Sequence, residues 1–486
     1  MPSYSIVTFG CQMNAHDSER MHEVLRGQGY REASDSDEAD VIVLNTCSVR
    51  EKAEHKLRSE VGRLAPVKRA RPETLVVVAG CMAQQEGDAL RKKMPIIDVV
   101  LGPDNIPELP ALLADVSTGG LPVVRTVFDL DAPSFLRSDP VVRGGAPASA
   151  YVTVMKGCDE RCSFCIVPYT RGPERYRASD EVVDEITRLV AAGAAEVTLL
   201  GQTVNSYSDP SKRLSPAPEA AADDPDESEF AALLRRIAIE VPGLKRLRYT
   251  SPHPRHLTPS LIAAHRDLDV LAQHVHLPVQ SGSDRVLKRM IRRYRRDEYV
   301  ERVNRLRAAR PGLTLSTDII VGFPGETDEE AEATVDLVRE IGFVGVFGFK
   351  YSPRPYTPAL KLGDDVSEAD KSRRLTRLFE VSEALLAHHL TTLVGRTEPV
   401  LIEGRSKSGD DRLAGRTRRN EIVHLPNTAH LDLVGRVVDA HITIARKHSL
   451  EGELTEAARA AARPAPANVA RPVAVPSRRA LPVIGA

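Results

Sequence analysis

The sequence has no tryptophan and few other aromatics, 10 Phe and 11 Tyr among 486 residues. Its cores must therefore be built mostly from Val, Leu, Ile and Ala. Charge of one sign is missing too: 66 Lys and Arg face 67 Asp and Glu, a net charge of −1. No global field draws the chain to nucleic acid or to an acidic membrane, so any basic site must be local. No apolar run approaches the roughly 20 residues that span a bilayer. The first residues, MPSYSIVTFGCQMN, lack a basic region followed by a long apolar one, so no signal peptide is expected. A cytoplasmic location and no membrane partner follow. Cysteine is sparse, and its six copies fall at 11, 47, 81, 158, 162 and 165. In a reducing compartment such clustered thiols bind metal or do chemistry more often than they form disulfides.

What is present is α/β patterning on a chain long enough for about two to four domains. Three apolar runs in the first hundred residues, YSIVTFG, VIVLNT and LVVVAG, each lead directly into a cysteine: Cys11, Cys47 and Cys81. Helical patterns lie at 14–28, 51–63 and 84–92, and a fourth apolar run, IIDVVLG, follows at 96–102. Short apolar strands alternating with helices predict a parallel sheet, and such sheets place ligands beyond the carboxyl ends of their strands. The three cysteines should meet at one sheet edge; the plainer alternative is three buried structural thiols.

From 151 a second series begins, with strands expected at 151–155, 196–200, 245–249, 273–277, 314–320 and 344–350. Helices are expected between them, the one over 284–309 broken. Six such units predict a partial (β/α)6 barrel. The stretch 208–228 is Pro-, Ser- and Asp-rich and reads as a disordered insertion. A helix over 367–392 precedes strand-like runs at 395–447, a small β-barrel. The domain division is 1–115, a linker at 116–145, 146–375, 376–455, and a disordered tail at 456–486.

Cys158, Cys162 and Cys165 are spaced C-x3-C-x2-C in KGCDERCSFCIVPYTRG, just past the first barrel strand. A structural zinc site wants four ligands, and no histidine lies between His55 and His253, so zinc would need a distant fourth residue. An iron–sulfur cube on three cysteines leaves one iron open, as catalytic metal sites do. The five histidines of 253–276 show no clear ligand spacing. Gly322 and Gly325 lack the spacing of a phosphate loop and read as a tight turn.

GCDERCSFC resembles the signature of radical S-adenosylmethionine enzymes. TFGCQMNAHDSERM, LNTCSVREKAEHK, VVAGCMAQQ, LLGQTVNSY, TSPHPRHL, HLPVQSGSDRVLKRM, TDIIVGFPGET and KYSPRPYTPA extend the likeness over roughly 3–455. Along that length the chain resembles the methylthiotransferase family, with a TRAM RNA-binding module at its end. TFGCQMN and GRTRRNEIVHLP look most like its tRNA branch, which adds a methylthio group to carbon 2 of N6-isopentenyladenosine beside the anticodon.

The resemblance implies two 4Fe–4S clusters and S-adenosylmethionine: Cys158, Cys162 and Cys165 hold the radical-forming cluster, and Cys11, Cys47 and Cys81 an auxiliary, sulfur-donating one. It implies that Phe164 lies against the adenine. No catalytic residue beyond the cluster ligands is expected. Gln202, Gln280 and Ser281, at barrel-strand ends, are expected to line the S-adenosylmethionine or substrate pocket. The basic runs RVLKRMIRRYRR and GRSKSGDDRLAGRTRR suggest phosphate contact, with Arg416, Arg418 and Arg419 as the RNA-binding candidates. The expected partners are tRNA, a flavodoxin- or ferredoxin-like electron donor and a sulfur source, with the chain a monomer. The competing readings are methylthiolation of a protein side chain or of another modified tRNA adenosine, and a non-catalytic metal-containing RNA-binding sensor. The chain departs from the family at Tyr356, usually Gly, at Pro173 and Tyr176, and in the longer insertion at 208–228.

Overall fold

The structure is a computed structural model. It describes residues 1–48, 51–131, 133–140, 145–211, 228–406, 409 and 411–463. Most of the insertion at 208–228 and of the tail at 456–486 lies outside the described residues.

The N-terminal part is a six-stranded parallel sheet: β1 (Ser3–Phe9), β2 (Arg31–Glu32), β3 (Val41–Thr46), β4 (Leu75–Gly80), β5 (Val99–Leu101) and β6 (Val123–Arg125). Its order is β2-β1-β3-β4-β5-β6. β3 and β4 are buried along their whole length, as strands covered on both faces must be. Alternate residues feed two cores: Val41 and Val43 pack under the helix Gln12–Gly27, Ile42 and Leu44 under the helix Glu51–Ala70. The stretch 116–145 is more than a linker, because β6 within it pairs with β5. Three residues flanked by Gly119, Gly120 and Pro122 are too short a run to read as a strand.

The central part holds all six expected barrel strands: β7 (Ser149–Thr153), β10 (Glu196–Leu200), β11 (Arg246–Tyr249), β12 (His274–His276), β13 (Thr314–Val321) and β14 (Gly345–Lys350). A short hairpin of β8 (Met155–Lys156) and β9 (Arg175–Tyr176) brackets the cysteine loop. The strands run parallel in two groups of three. Leu247 joins the groups, donating to the Val270 carbonyl at 2.8 Å and accepting from the Ala272 N–H at 3.0 Å. The result is the open six-unit barrel, with helices outside. The helical pattern of 284–309 breaks as expected, into Asp284–Arg289 and Arg296–Ala309. Ile291 and Arg293 adopt positive φ in the gap.

The helix Glu368–Thr391 leaves the barrel and enters the last unit. Its Leu378 packs in the barrel core and its Leu390 in the next one, so the division at 375/376 falls inside one continuous helix. The C-terminal unit is a closed barrel of β15 (Thr397–Arg405), β16 (Arg412–Thr417), β17 (Ile422–Pro426), β18 (Val437–Ala445) and β19 (Leu450–Leu454).

Candidate metal centres

The register of the N-terminal sheet brings its three cysteines to one edge. Phe9 lies opposite Thr46, and Thr46 opposite Gly80. Cys11, Cys47 and Cys81 follow within two residues of those positions. Two glycines make the turns possible. Gly10 has φ +140°, and a Cβ there would lie 2.5 Å from Cys47 Cβ. Gly80 has φ +94°, and its Cβ would lie 2.6 Å from the Thr46 carbonyl oxygen. Asn14 and Asn45 lace the edge together. Asn14 Oδ1 accepts from the Cys11 N–H and thiol, both at 3.3 Å, and its Nδ2 donates to Thr46 O at 3.2 Å. Asn45 Nδ2 donates to Asn14 O at 2.8 Å. An Asn inside the run VIVLNT was the available signal, because a buried polar side chain must find partners.

The second triplet lies in the loop between β8 and β9. Gly157 has φ +78°, and a Cβ there would sit 1.8 Å from the Pro173 carbonyl oxygen. That contact lets the loop fold back, with Cys158 N–H donating to Gly172 O at 3.1 Å. Thr203 Oγ1 lies 3.0 Å from Cys158 Sγ, and Arg292 Nη1 donates to Cys162 Sγ at 3.3 Å. Burial pushes the Cys158 thiol up to about 11, pushes Cys165 higher still, and also raises Cys81. The thiols within each triplet raise one another as well. Buried, converging thiols of this kind stay ionised only beside concentrated positive charge, and iron supplies it. The donor sets therefore fit iron–sulfur clusters.

One residue links the two sites. Arg171, on the short helix Val167–Arg171 that follows Cys165, is 5% exposed. Its Nε donates to Cys81 Sγ at 3.2 Å, and its Nη2 pairs with Asp17 at 2.5 Å. A side chain of the barrel loop thus serves the N-terminal cysteines. Arg292 was not distinguishable in the sequence from the other arginines of its basic run, and Arg171 stood as a single arginine after the cysteine triplet.

The expected pocket residues divide. Gln202 Oε1 accepts from the Gly157 N–H, beside Cys158, and its Nε2 is buried with no hydrogen-bond partner among the described residues. Phe164 packs on the cluster of Val286, Met290, Phe323, Tyr351 and Ala359, beneath the cysteine loop. Gln280 takes φ +74° and is bonded through its backbone to β13. Ser281 is fully buried, with Oγ 3.4 Å from Thr334 Oγ1 on the outer helix Asp328–Ile341. Its strand-end position could not reveal which way the chain turns after Gln280.

The three RNA-binding candidates are each engaged within the protein. Arg416 is buried, donating to Asn420 O at 3.1 Å and pairing with Glu403 at 3.4 Å. Arg419 pairs with Glu398 at 2.7 Å and with Glu421 at 3.2 Å. Arg418 donates to the Asp269 carbonyl. Arg416 and Arg419 thus pair inside the C-terminal barrel, and Arg418 reaches across the seam between the two barrels, where Arg246 and Arg248 donate to the carbonyl of Thr417 at 3.0 and 3.1 Å. Of the other basic run, Arg285, Arg295 and Arg296 pair with Glu330, Asp284 and Glu340.

Three of the five clustered residues of 253–276 remain histidines of core and strand, while His253 and His256 meet Glu160 of the cysteine loop. His256 Nε2 lies 3.0 Å from Glu160 Oε1 and holds its carboxyl down at about 2. His253 Nδ1 accepts the Arg255 N–H at 3.2 Å, which places the ring proton on Nε2. A metal would need that nitrogen bare; burial keeps His253 neutral, and the His256–Glu160 contact braces the loop.

Residues 3–102 match the family described as Uncharacterized protein family UPF0004, residues 152–338 the Radical SAM superfamily, and residues 391–455 the TRAM domain. A tRNA-2-methylthio-N(6)-dimethylallyladenosine synthase of Sorangium cellulosum is 67% identical over 497 residues, covering 100% of this chain and 99% of that one. The chain belongs to that synthase family. The synthase of Neisseria gonorrhoeae is 45% identical, covering 94% of this chain and 100% of its own. That of Chromobacterium violaceum is 44% identical, covering 93% and 98%. The chain is thus a radical SAM enzyme of the methylthiotransferase kind, and as such uses a 4Fe–4S cluster and S-adenosylmethionine. Among the described residues no helix is long and apolar enough to cross a membrane.

Proposed function

We propose that the chain adds a methylthio group to carbon 2 of N6-dimethylallyladenosine beside the anticodon of tRNA, using two iron–sulfur clusters. The observation that carries the reading is the pairing of two three-cysteine sites across one domain boundary, linked by Arg171. When bound, the clusters and S-adenosylmethionine supply a carbon-centred radical and the sulfur to be transferred, chemistry that side chains alone lack. The chain's own residues hold and orient. Cys158, Cys162 and Cys165 ligate the radical-forming cluster, with Thr203 and Arg292 placed to steady two of their sulfurs. Cys11, Cys47 and Cys81 ligate the auxiliary one, with Arg171 in the corresponding role at Cys81 and Asn14 fixing the turn through the Cys11 N–H. Hydrogen bonds to cluster sulfurs of this kind set reduction potential. Gln202 offers a buried N–H group at the barrel mouth to a bound cofactor. Burial of Cys47, Cys81, Cys158 and Cys162 limits the access of water to the two sites. The enzyme works as a cytoplasmic monomer, with a flavodoxin- or ferredoxin-like donor and a separate sulfur source.

The test is nucleoside mass analysis of tRNA carrying dimethylallyladenosine. The tRNA is incubated anaerobically with the reconstituted protein, reductant and S-adenosylmethionine. A gain of one methylthio group, lost in Cys158→Ala and in Cys47→Ala, is the expected result. If 5′-deoxyadenosine forms and the nucleoside is unchanged, the substrate is wrong, and a protein side chain becomes the next candidate.

A further inference from the structure

Tyr169 and Tyr356 are large aromatic side chains left in the open. They are 45% and 65% exposed. Their rings face each other with centroids 5.8 Å apart and planes tilted by 34°. Every other Phe and Tyr of the chain is buried or half-buried, and this ring pair is exposed. Tyr356 also sits at φ +67°, a conformation that side chains with a Cβ avoid. An observed backbone outlier of that kind points toward function.

The place of the pair is as informative as its exposure. Tyr169 lies four residues after Cys165, on the same short helix as Arg171. Tyr356 belongs to the segment after β14, and that segment is fixed to the cysteine loop by Ala359 N–H donating to Ser163 O at 2.8 Å. On its other side, Arg354 comes within 3.9 Å of Glu54, on the helix that follows Cys47. The rings therefore stand at the junction of both cysteine sites. Lys361, exposed five residues beyond Tyr356, adds a cation. Exposed ring faces beside a cation are what proteins use to hold unstacked bases of single-stranded nucleic acid.

We propose that Tyr169 and Tyr356 form a stacking platform for a nucleobase of the RNA loop next to the modified base, holding that loop splayed toward the two clusters. The proposal rests on the reading of the substrate as tRNA. It adds a base-recognition site in this chain, on which Tyr356 is the specificity-bearing residue.

The experiment measures binding of a synthetic anticodon stem-loop to the reconstituted holoenzyme by fluorescence anisotropy. Each loop base is replaced in turn by an abasic residue. With the unaltered protein, one abasic position beside the target should weaken binding about tenfold. Tyr356→Gly should bind the intact RNA about tenfold more weakly and no longer distinguish that abasic position. Tyr356→Phe, which keeps the ring, should behave as the unaltered protein. Tyr356→Gly suits the backbone, so its melting temperature should not fall, which separates stacking from misfolding. The slope of affinity against salt should not change, because no phosphate contact is removed. Equal loss for intact and abasic RNAs, or unchanged affinity in Tyr356→Gly, would overturn the platform. If the unaltered protein methylthiolates the RNA while the abasic profile of Tyr356→Gly matches it, the platform alone fails. If the unaltered protein neither binds nor modifies RNA and Tyr356→Gly loses affinity for a peptide, the functional reading fails with it.

Discussion

Nε of Arg171 lies 3.2 Å from Sγ of Cys81, across the boundary between the N-terminal sheet and the barrel, and the same guanidinium pairs with buried Asp17. Replacing it with Met strands the Asp17 carboxylate without a counter-charge, at a cost of about 3–5 kcal/mol. Arg171→Met should therefore lower the melting temperature and the iron and sulfide held by Cys11, Cys47 and Cys81. Asp17→Asn in the same chain should recover part of the melting temperature and none of the iron, because the donor to Cys81 is still missing. Recovery of both would reduce Arg171 to a plain structural ion pair.

The two tight glycines allow each centre to be damaged separately. Gly157→Ala drives a Cβ into the Pro173 carbonyl, and Gly80→Ala drives one into Thr46 O. We expect Gly157→Ala to lose roughly four iron atoms per chain from the radical site, and Gly80→Ala a similar number from the auxiliary site. Only Gly157→Ala should stop S-adenosylmethionine cleavage. Iron and sulfide assays with 5′-deoxyadenosine measurement check both.

The strand-and-helix frame was legible because its signals are local. VIVLNT and LVVVAG state their burial in four or more consecutive apolar residues, and each runs straight into its cysteine. β6 was hidden because Val123–Arg125 is too short to show a period. The arginines were hidden for a different reason. A basic run reads the same whether it meets phosphate or the protein's own carboxylates, and Arg419 between Glu398 and Glu421 is the second case. Arg171 and Arg292 gain their meaning from sulfurs 90 and 130 residues away, a separation no periodicity reports.

His265 gives a pH dependence with a definite sign. It is buried beside Tyr249, its Nε2 2.6 Å from the phenol oxygen, and burial pushes it down to about 3. Its folded value lies below its unfolded one, so the unfolded chain binds the proton first. The stabilisation is full above about pH 6.5 and falls by about 1.4 kcal/mol per pH unit as pH drops toward 3. Calorimetry at pH 7.5 and 5.5 should show a loss of roughly 2–4 °C attributable to this group, absent in His265→Gln. An equal loss in the variant would assign the dependence elsewhere.

The seam between the barrels rests on Glu196, fully buried between Arg246 at 3.4 Å and Arg248 at 2.7 Å. Arg248→Met removes a charged hydrogen bond from that carboxylate, about 1.5–3 kcal/mol. The expected outcome is faster proteolysis near residues 392–397, with iron content unchanged. Cleavage at the unaltered rate would mean that Arg246 alone holds the seam.

The longest apolar strands of the N-terminal sheet occupy its middle, and its two borders are β2 and β6, strands of two and three residues. An open sheet edge is a template on which other chains can pair, and a border that short offers almost nothing to pair with. The chain carries segments such as LVVVAG that would be hazardous on an edge, and it keeps them enclosed. A variant that unpairs β6 would bring β5 to the border, so its first symptom should be self-association, ahead of any loss of cofactor.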